Sequence, residues 1–289
     1  MQKRMLLNMA LLLLMLGLAV IALLKWKSDA PPEIESFTAI DKNQIQQIVI
    51  SRMDDNGQES EIVLQKQEEQ WNISAPLQLA ANQFRIDSIL QFLTTKHYQQ
   101  LSSPVDFAAL GLEQPSTRLT VEGIELSLGA KSPFNDGRRY VLLNNKAYLT
   151  VDTISYFLTG NPALFASLFP LGNQPVITRL TLPDLSLQLQ DHHWELLTPI
   201  DESLDNSADA IQSLIKAWQH LQALSVRPYQ AQTGNFATVS ILLTTDVKPL
   251  QFTVLATKPE FILALPEKKV QYQIASEQIS KLFSLPEKL

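Results

Sequence analysis

No cysteine occurs anywhere in the 289 residues. Disulfides, thiolate nucleophiles and cysteine-ligated metals are therefore excluded, and the redox compartment is left unmarked. Glycine is scarce too. The nine present are scattered, and none forms G-x-G-x-x-G or G-x-x-x-x-G-K, so the usual phosphate-cradling loops are missing. Neither a G-x-S-x-G elbow nor an H-E-x-x-H pair is present, which removes the common signatures of serine and zinc hydrolases. Basic charge is short beyond the N-terminus. Setting aside residues 1–30 removes four of the 23 basic residues and one of the 29 acids, leaving a net charge of −9. Binding nucleic acid by counterion release needs clustered Lys and Arg, so no nucleic-acid partner is expected. The same charge argues against a second, electrostatic attachment to anionic lipid.

The chain is 45% hydrophobic and 18% charged, enough for one large or two modest cores at roughly 100–200 residues per domain. Its apolar content is uneven. In the run from Met5 to Leu24, Asn8 is the only clearly polar side chain. As a helix, this run would span roughly 30 Å, the thickness of a bilayer's hydrocarbon layer. Lys25, Trp26 and Lys27 follow and suit a headgroup region. A cleaved signal peptide has a shorter apolar stretch and an A-x-A-like site, whereas the small-residue candidate here is Ser28-Asp29-Ala30 before Pro31. The expectation is a retained transmembrane helix. Positive charge lies on both sides of it, so the charge bias barely sets orientation. A short N-terminal tail is the easier end to leave in the cytoplasm, and that places the remainder in the periplasm of a bacterial inner membrane. Residues 1–27 are thus expected to be tail and anchor, and residues 28–43, with Pro31-Pro32, a linker.

Beyond the linker one pattern occurs twice. Ile62 and Leu64 alternate, a polar turn follows, then Trp71 and Pro76; Leu185 and Leu187 alternate, a polar turn follows, then Trp194 and Pro199. Trp to Trp and Pro to Pro are each separated by 123 residues. Helical spacing puts Ile86, Ile89, Leu90 and Leu93 on one face, and Ile211, Leu214, Ile215 and Trp218 on another. Asn82, and Asn206 or Ser207, are the expected N-caps. Strands are expected at Arg118 to Gly123, Glu125 to Gly129, Arg139 to Leu143 and Ala147 to Val151. In the second copy they are expected at Thr238 to Thr244, Gln251 to Leu255, Phe261 to Leu265 and Val270 to Ile274. Short helices close each copy, around residues 153–158 and 276–283. Asp55-Asn56-Gly57, Asn135-Asp136-Gly137 and Asn144-Asn145 read as hairpin turns. The fold class expected is α+β: two tandem, mostly antiparallel α+β repeats, residues 44–172 and 173–289, after the transmembrane helix.

Trp71-x4-Pro76 before an amphipathic helix, Phe107-x2-Leu110-Gly111-Leu112-x2-Pro115, Leu128-Gly129, and Arg139-Tyr140-Val141 ahead of the Ala147-Tyr148-Leu149 strand together resemble the bacterial family known as domain of unknown function 4340. The resemblance covers about residues 45–285. It implies a membrane anchor in many members and, for some, association with ABC-type transport systems of the gliding-motility kind. It implies no catalytic residue. The second copy departs from the motif, lacking the Gly-Leu-x-x-Pro turn and the Arg-Tyr pair.

Chemistry-bearing residues are few. His192-His193 invites a metal reading, but neighbours in a strand or tight turn diverge while a site needs convergent ligands; a solvated turn fits them better. His97 and His220 stand near helix C-termini, where partial positive charge is favourable. Asp201, Glu202, Asp205 and Asp209 gather before and within the second helix without D-x-D-x-D-G spacing, as helix-start acids do. Trp71 and Trp194 suit packing more than a ligand groove. No catalytic, cofactor or metal residue is assigned, and no cofactor is expected. Arg138-Arg139-Tyr140 is the least ordinary stretch, because the second copy has Pro259-Glu260-Phe261 instead. Solvated edge-strand protection is the plainer account of this stretch; the sharper one is a partner contact, to which Arg138 and Tyr140 are assigned because they share a strand face and both types are enriched at interface centres. The expectation is a non-enzymatic, membrane-anchored periplasmic accessory or scaffold protein that binds another envelope component, such as an ABC-type transport assembly. The alternative is a periplasmic module that holds a small molecule or glycan in a cleft between the repeats.

Overall fold

Period-two alternation of apolar residues governs most of the chain and builds sheets. A computed structural model describes residues 36–53, 58–134, 136–198 and 201–288, together with Leu14, Met15, Gly17, Leu18 and Val20, which are helical. The chain divides into two units, Met1–Ser36 and Phe37–Leu289.

In the larger unit, β1 (Gln47–Met53), β2 (Glu59–Gln67), β3 (Gln70–Ala75) and β4 (Leu79–Ala80) lead into helix α1 (Gln83–Leu93). Strands β5 (Tyr98–Gln100), β6 (Thr117–Val121), β7 (Ile124–Lys131), β8 (Arg138–Leu143) and β9 (Lys146–Val151) follow, and then the short helix α2 (Ser155–Leu158). They form a nine-stranded antiparallel sheet in the order β4-β3-β2-β1-β6-β7-β8-β9-β5. Helix α1 carries the chain from one edge of the sheet to the other. Its apolar stripe, Ile86, Ile89, Leu90 and Leu93, is buried in the core, as an amphipathic helix requires.

The second sheet comprises β10 (Ile177–Thr181), β11 (Ser186–Gln190), β12 (His193–Leu196), β13 (Ser225–Pro228), β14 (Thr238–Leu243), β15 (Leu250–Ala256), β16 (Phe261–Leu265) and β17 (Val270–Ile274). Helix α3 (Ala208–Gln219) lies between β12 and β13, and α4 (Ile279–Phe283) follows β17. The strand order is β12-β11-β10-β14-β15-β16-β17-β13. With β4 left out, this is the first sheet's order, element for element. Trp218 of α3 is fully buried, and its indole Nε1 donates to the Leu282 carbonyl at 2.8 Å. One continuous core cluster runs through both halves.

One sequence expectation needs correction. The larger unit is mostly β rather than α+β: two sheets of nine and eight strands, with helices of 11 and 12 residues as the only long ones among the described residues. The 3.6-period faces stand out in the sequence and give helix too much weight. Strands of two to four residues such as β4, β5 and β13 are too short to show alternation. The transmembrane part of that expectation falls on residues that lie mostly outside the described ones. No helix among the described residues is long and apolar enough to cross a membrane. The run Met5 to Leu24 itself lies outside the described residues, apart from the five helical positions above. Pro199, the turn Asp55-Asn56-Gly57 and Asn135 also lie outside them.

Each half closes in the same way. The Asn82 amide donates to the Phe165 carbonyl at 2.7 Å, and Ser167 donates to Ala80 at 2.8 Å. In the second half Asp205 donates to Pro286 at 2.8 Å, and Lys288 to Ser203 at 2.7 Å. The segment that follows each final helix thus returns to the start of the crossing helix.

Candidate functional site

The first of these closures forms one wall of a solvent-open cleft of about 470 Å³, within the usual range for ligand sites. Strand β3 supplies Gln70 and Trp71, the entry to α1 supplies Asn82, Phe84 and Arg85, and the connecting segment supplies Ser167, Leu168 and Phe169. Asn173 and Gln222 complete it from the side of the second sheet. The connecting segment is held from both directions: Ser167 donates to Ala80, while the Leu168 carbonyl accepts from Ala223 at 2.8 Å. The cleft is therefore a property of the junction, not of either half.

Its polarity is mostly uncharged. The side chains of Gln70, Asn82, Asn173 and Gln222 make no hydrogen bond with any described residue. Asn82 is the N-cap of α1, yet its side chain leaves the cap bond unmade. Its counterpart Ser207 does cap α3, accepting from the Ala210 amide at 3.3 Å. Such a bond contributes about 1 kcal/mol, and α1 starts without it. Glu69 is the one acid at the rim and pairs with Lys66 at 3.2 Å. The Arg85 guanidinium lies over the rings of Phe84 and Phe157, 5.8 and 5.2 Å from their centroids, and its Nε is buried without a partner. Phe84 is 70% exposed and Phe169 37%.

The residues singled out in the sequence lie elsewhere. Arg138 Nη2 pairs with Asp136 Oδ2 at 2.5 Å, and this hydrogen bond holds the Asp136 carboxyl below its ordinary range. Tyr140 is half-buried on the same strand face, and Val151, 45% exposed, stands directly across from Arg138 in the β8–β9 ladder. Arg139 points to the opposite face. Its Nε meets Asp152 Oδ2 at 2.8 Å, and its Nη1 donates to the Gly129 carbonyl. Burial would raise the Asp152 carboxyl, but the Ser155 hydroxyl at 2.7 Å and the Arg139 guanidinium outweigh it and hold it low. Gly129 in turn sits under the loop at Leu110-Gly111-Leu112: a Cβ there would come within 2.5 Å of the Leu110 carbonyl oxygen and 2.7 Å of Leu112 Cδ2. The Leu-Gly-Leu, Leu-Gly and Arg-Tyr motifs thus converge on a structural buttress.

Trp71 and Trp194 both stand second in their strands, but they differ in burial: Trp71 is 5% exposed in the core, whereas Trp194 is half-buried against it. His192 and His193 are exposed at a hairpin tip where Asp191 and His192 have φ of 46° and 65°. His220 is the C-cap of α3, and His97 is exposed after α1. Asp201 and Asp205 accept from the amides of Ser203 and Ser207, both at 2.9 Å, ahead of α3. Among the described residues no three His, Cys, Asp or Glu side chains gather as a metal site. The cleft carboxamides escape the sequence reading because isolated Asn and Gln carry no motif.

The family described as domain of unknown function, DUF4340, matches residues 71–237, more than half of the chain. The chain belongs to the DUF4340 family. The DUF4340 match takes in every cleft residue named above except Glu69 and Gln70. No curated protein and no solved structure matches the chain.

Proposed function

We propose that this DUF4340 protein is a non-catalytic accessory protein of the bacterial cell envelope. In this reading the apolar segment Met5 to Leu24 holds it at the inner membrane, the remainder faces the periplasm, and the first half binds another envelope protein. A subunit of an ABC-type transport assembly is the partner the family resemblance favours. The observation that carries the reading is an open groove of about 430 Å³ in which Phe84 and Val151 stand exposed beside buried Phe157, with Arg85, Gln91, Thr153 and His97 also in its lining. Exposed apolar side chains around a groove are what a protein contact uses. Arg138 lies directly across the ladder from Val151 and extends that surface with a residue type favoured at interfaces. In the second half Asp209 occupies in α3 the position that Phe84 occupies in α1, so the exposed ring is not repeated there.

The test is a photo-crosslinking residue placed at Val151 in the full-length protein in intact cells. A discrete adduct with one membrane protein is expected, and it should diminish in the Arg138→Ala, Tyr140→Ala double variant. A uniform ladder of adducts, or an adduct unaffected by the double variant, would overturn the reading.

A further inference from the structure

The cleft at the junction carries a separate function. We infer that it binds a neutral oligosaccharide. Carboxamide side chains both donate and accept hydrogen bonds, as sugar hydroxyls do. Four of them line this cleft with no partner among the described residues: Gln70, Asn82, Asn173 and Gln222. The partly exposed rings of Phe84 and Phe169 offer apolar faces for the C–H faces of a pyranose. Apolar rings beside uncharged hydrogen-bonding groups match a carbohydrate chain better than any other common ligand class.

Competing ligands meet specific obstacles. A nucleotide or other polyanion would face the net −9 of the chain beyond residue 30, with Glu69 at the rim and Arg85 as the one cation among the lining residues. A divalent cation would find a single carboxylate there. A peptide adding as a strand needs a free sheet edge, but next to β4 that place is taken by residues 165–167, bonded to Ala80 and Asn82. The cleft is open to solvent and has walls from both halves, so it suits a segment of a longer glycan.

The cleft shares Phe84 and Arg85 with the protein-binding groove proposed above, so the experiment keeps the two apart through Asn82 and Gln222, which line the cleft and not the groove. The full chain in detergent is titrated calorimetrically with malto-, cello- and chito-oligosaccharides, with inorganic phosphate as the anionic comparison. Saturable binding of at least one neutral series is expected. Asn82→Ala and Gln222→Ala, on opposite walls, should each weaken it by about tenfold, the loss of a hydrogen bond to a bound ligand, with melting temperature unchanged. Neither substitution should alter crosslinking from Val151. No binding of any neutral series, affinity in both variants equal to that of the parent, or tighter binding of phosphate than of sugar would overturn the inference.

Discussion

Arg139 and Asp152 meet at 2.8 Å, with side chains 15% and 10% exposed, and tie the start of β8 to the start of α2. The pair is reinforced by Ser155, whose hydroxyl donates to Asp152 Oδ2, and by the Arg139 bond to the Gly129 carbonyl. Removing one member of a largely buried pair strands the other. Arg139→Ala is therefore expected to destabilise the protein by about 3 kcal/mol, at the lower end for such pairs. Arg138→Ala, whose partner Asp136 is at the surface, should cost less than about 1 kcal/mol. Urea denaturation of the two variants measures both; equal costs would mean that Arg139 does not buttress the fold.

The same pair sets a pH dependence. The Asp152 carboxyl is held low in the folded chain, so its contribution is fully present above the unfolded aspartate value of about 3.9. That contribution is lost as pH falls through the lower, folded value. Melting temperature should drop on acidification below about pH 4, and less steeply in Asp152→Asn than in the parent. Parallel curves for the two proteins would rule Asp152 out as a contributor.

Gly129 has no room for a methyl group beneath Leu110 and Leu112. Gly129→Ala should destabilise by about 1–3 kcal/mol through overpacking. Gly172→Ala tests a different cost, because Gly172 has φ of 80° and open space around it; roughly 1 kcal/mol of backbone strain is expected there. Thermal melts of both variants would separate the two effects.

The tryptophans give a graded comparison. Trp71→Ala should cost about 3–5 kcal/mol, as truncation of a buried aromatic does. Trp194, half-buried, should cost about half as much. Chemical denaturation that ranks Trp194 above Trp71 would show that the burial difference does not govern their roles.

The apolar run at the N-terminus makes a prediction of its own. Full-length protein should stay in the membrane pellet after alkaline carbonate extraction, and protease added to spheroplasts should digest residues 37–289. Release by carbonate, or protection from protease, would sink the membrane and periplasmic parts of the proposal.

Regular apolar spacing was legible wherever one element buries one face. Phe261–Leu265 and Val270–Ile274 fall at the bounds read from alternation alone, and Ile86, Ile89, Leu90 and Leu93 are buried as their spacing implies. Strand β5 was not legible: Tyr98, Gln99 and Gln100 carry no alternating pattern and become a strand only by pairing with Thr150, Leu149 and Tyr148. Gly123 illustrates a near miss. Read as the end of a strand, it instead makes the turn with Glu122 at φ of 79° and 48°. The cleft was illegible for a stronger reason, since Asn82 and Gln222 lie 140 positions apart and only the closed fold brings them together.

The connecting segment also bears on how the protein comes apart. Ser167 is bonded to the first half and Leu168 to the second, and the apolar cluster passes between them without a break. Halves joined in this way do not melt independently, so calorimetry should record one endotherm whose van't Hoff and calorimetric enthalpies agree. Two copies of a topology can thus act as one cooperative unit, and a cut in the chain between them would not release two stable domains.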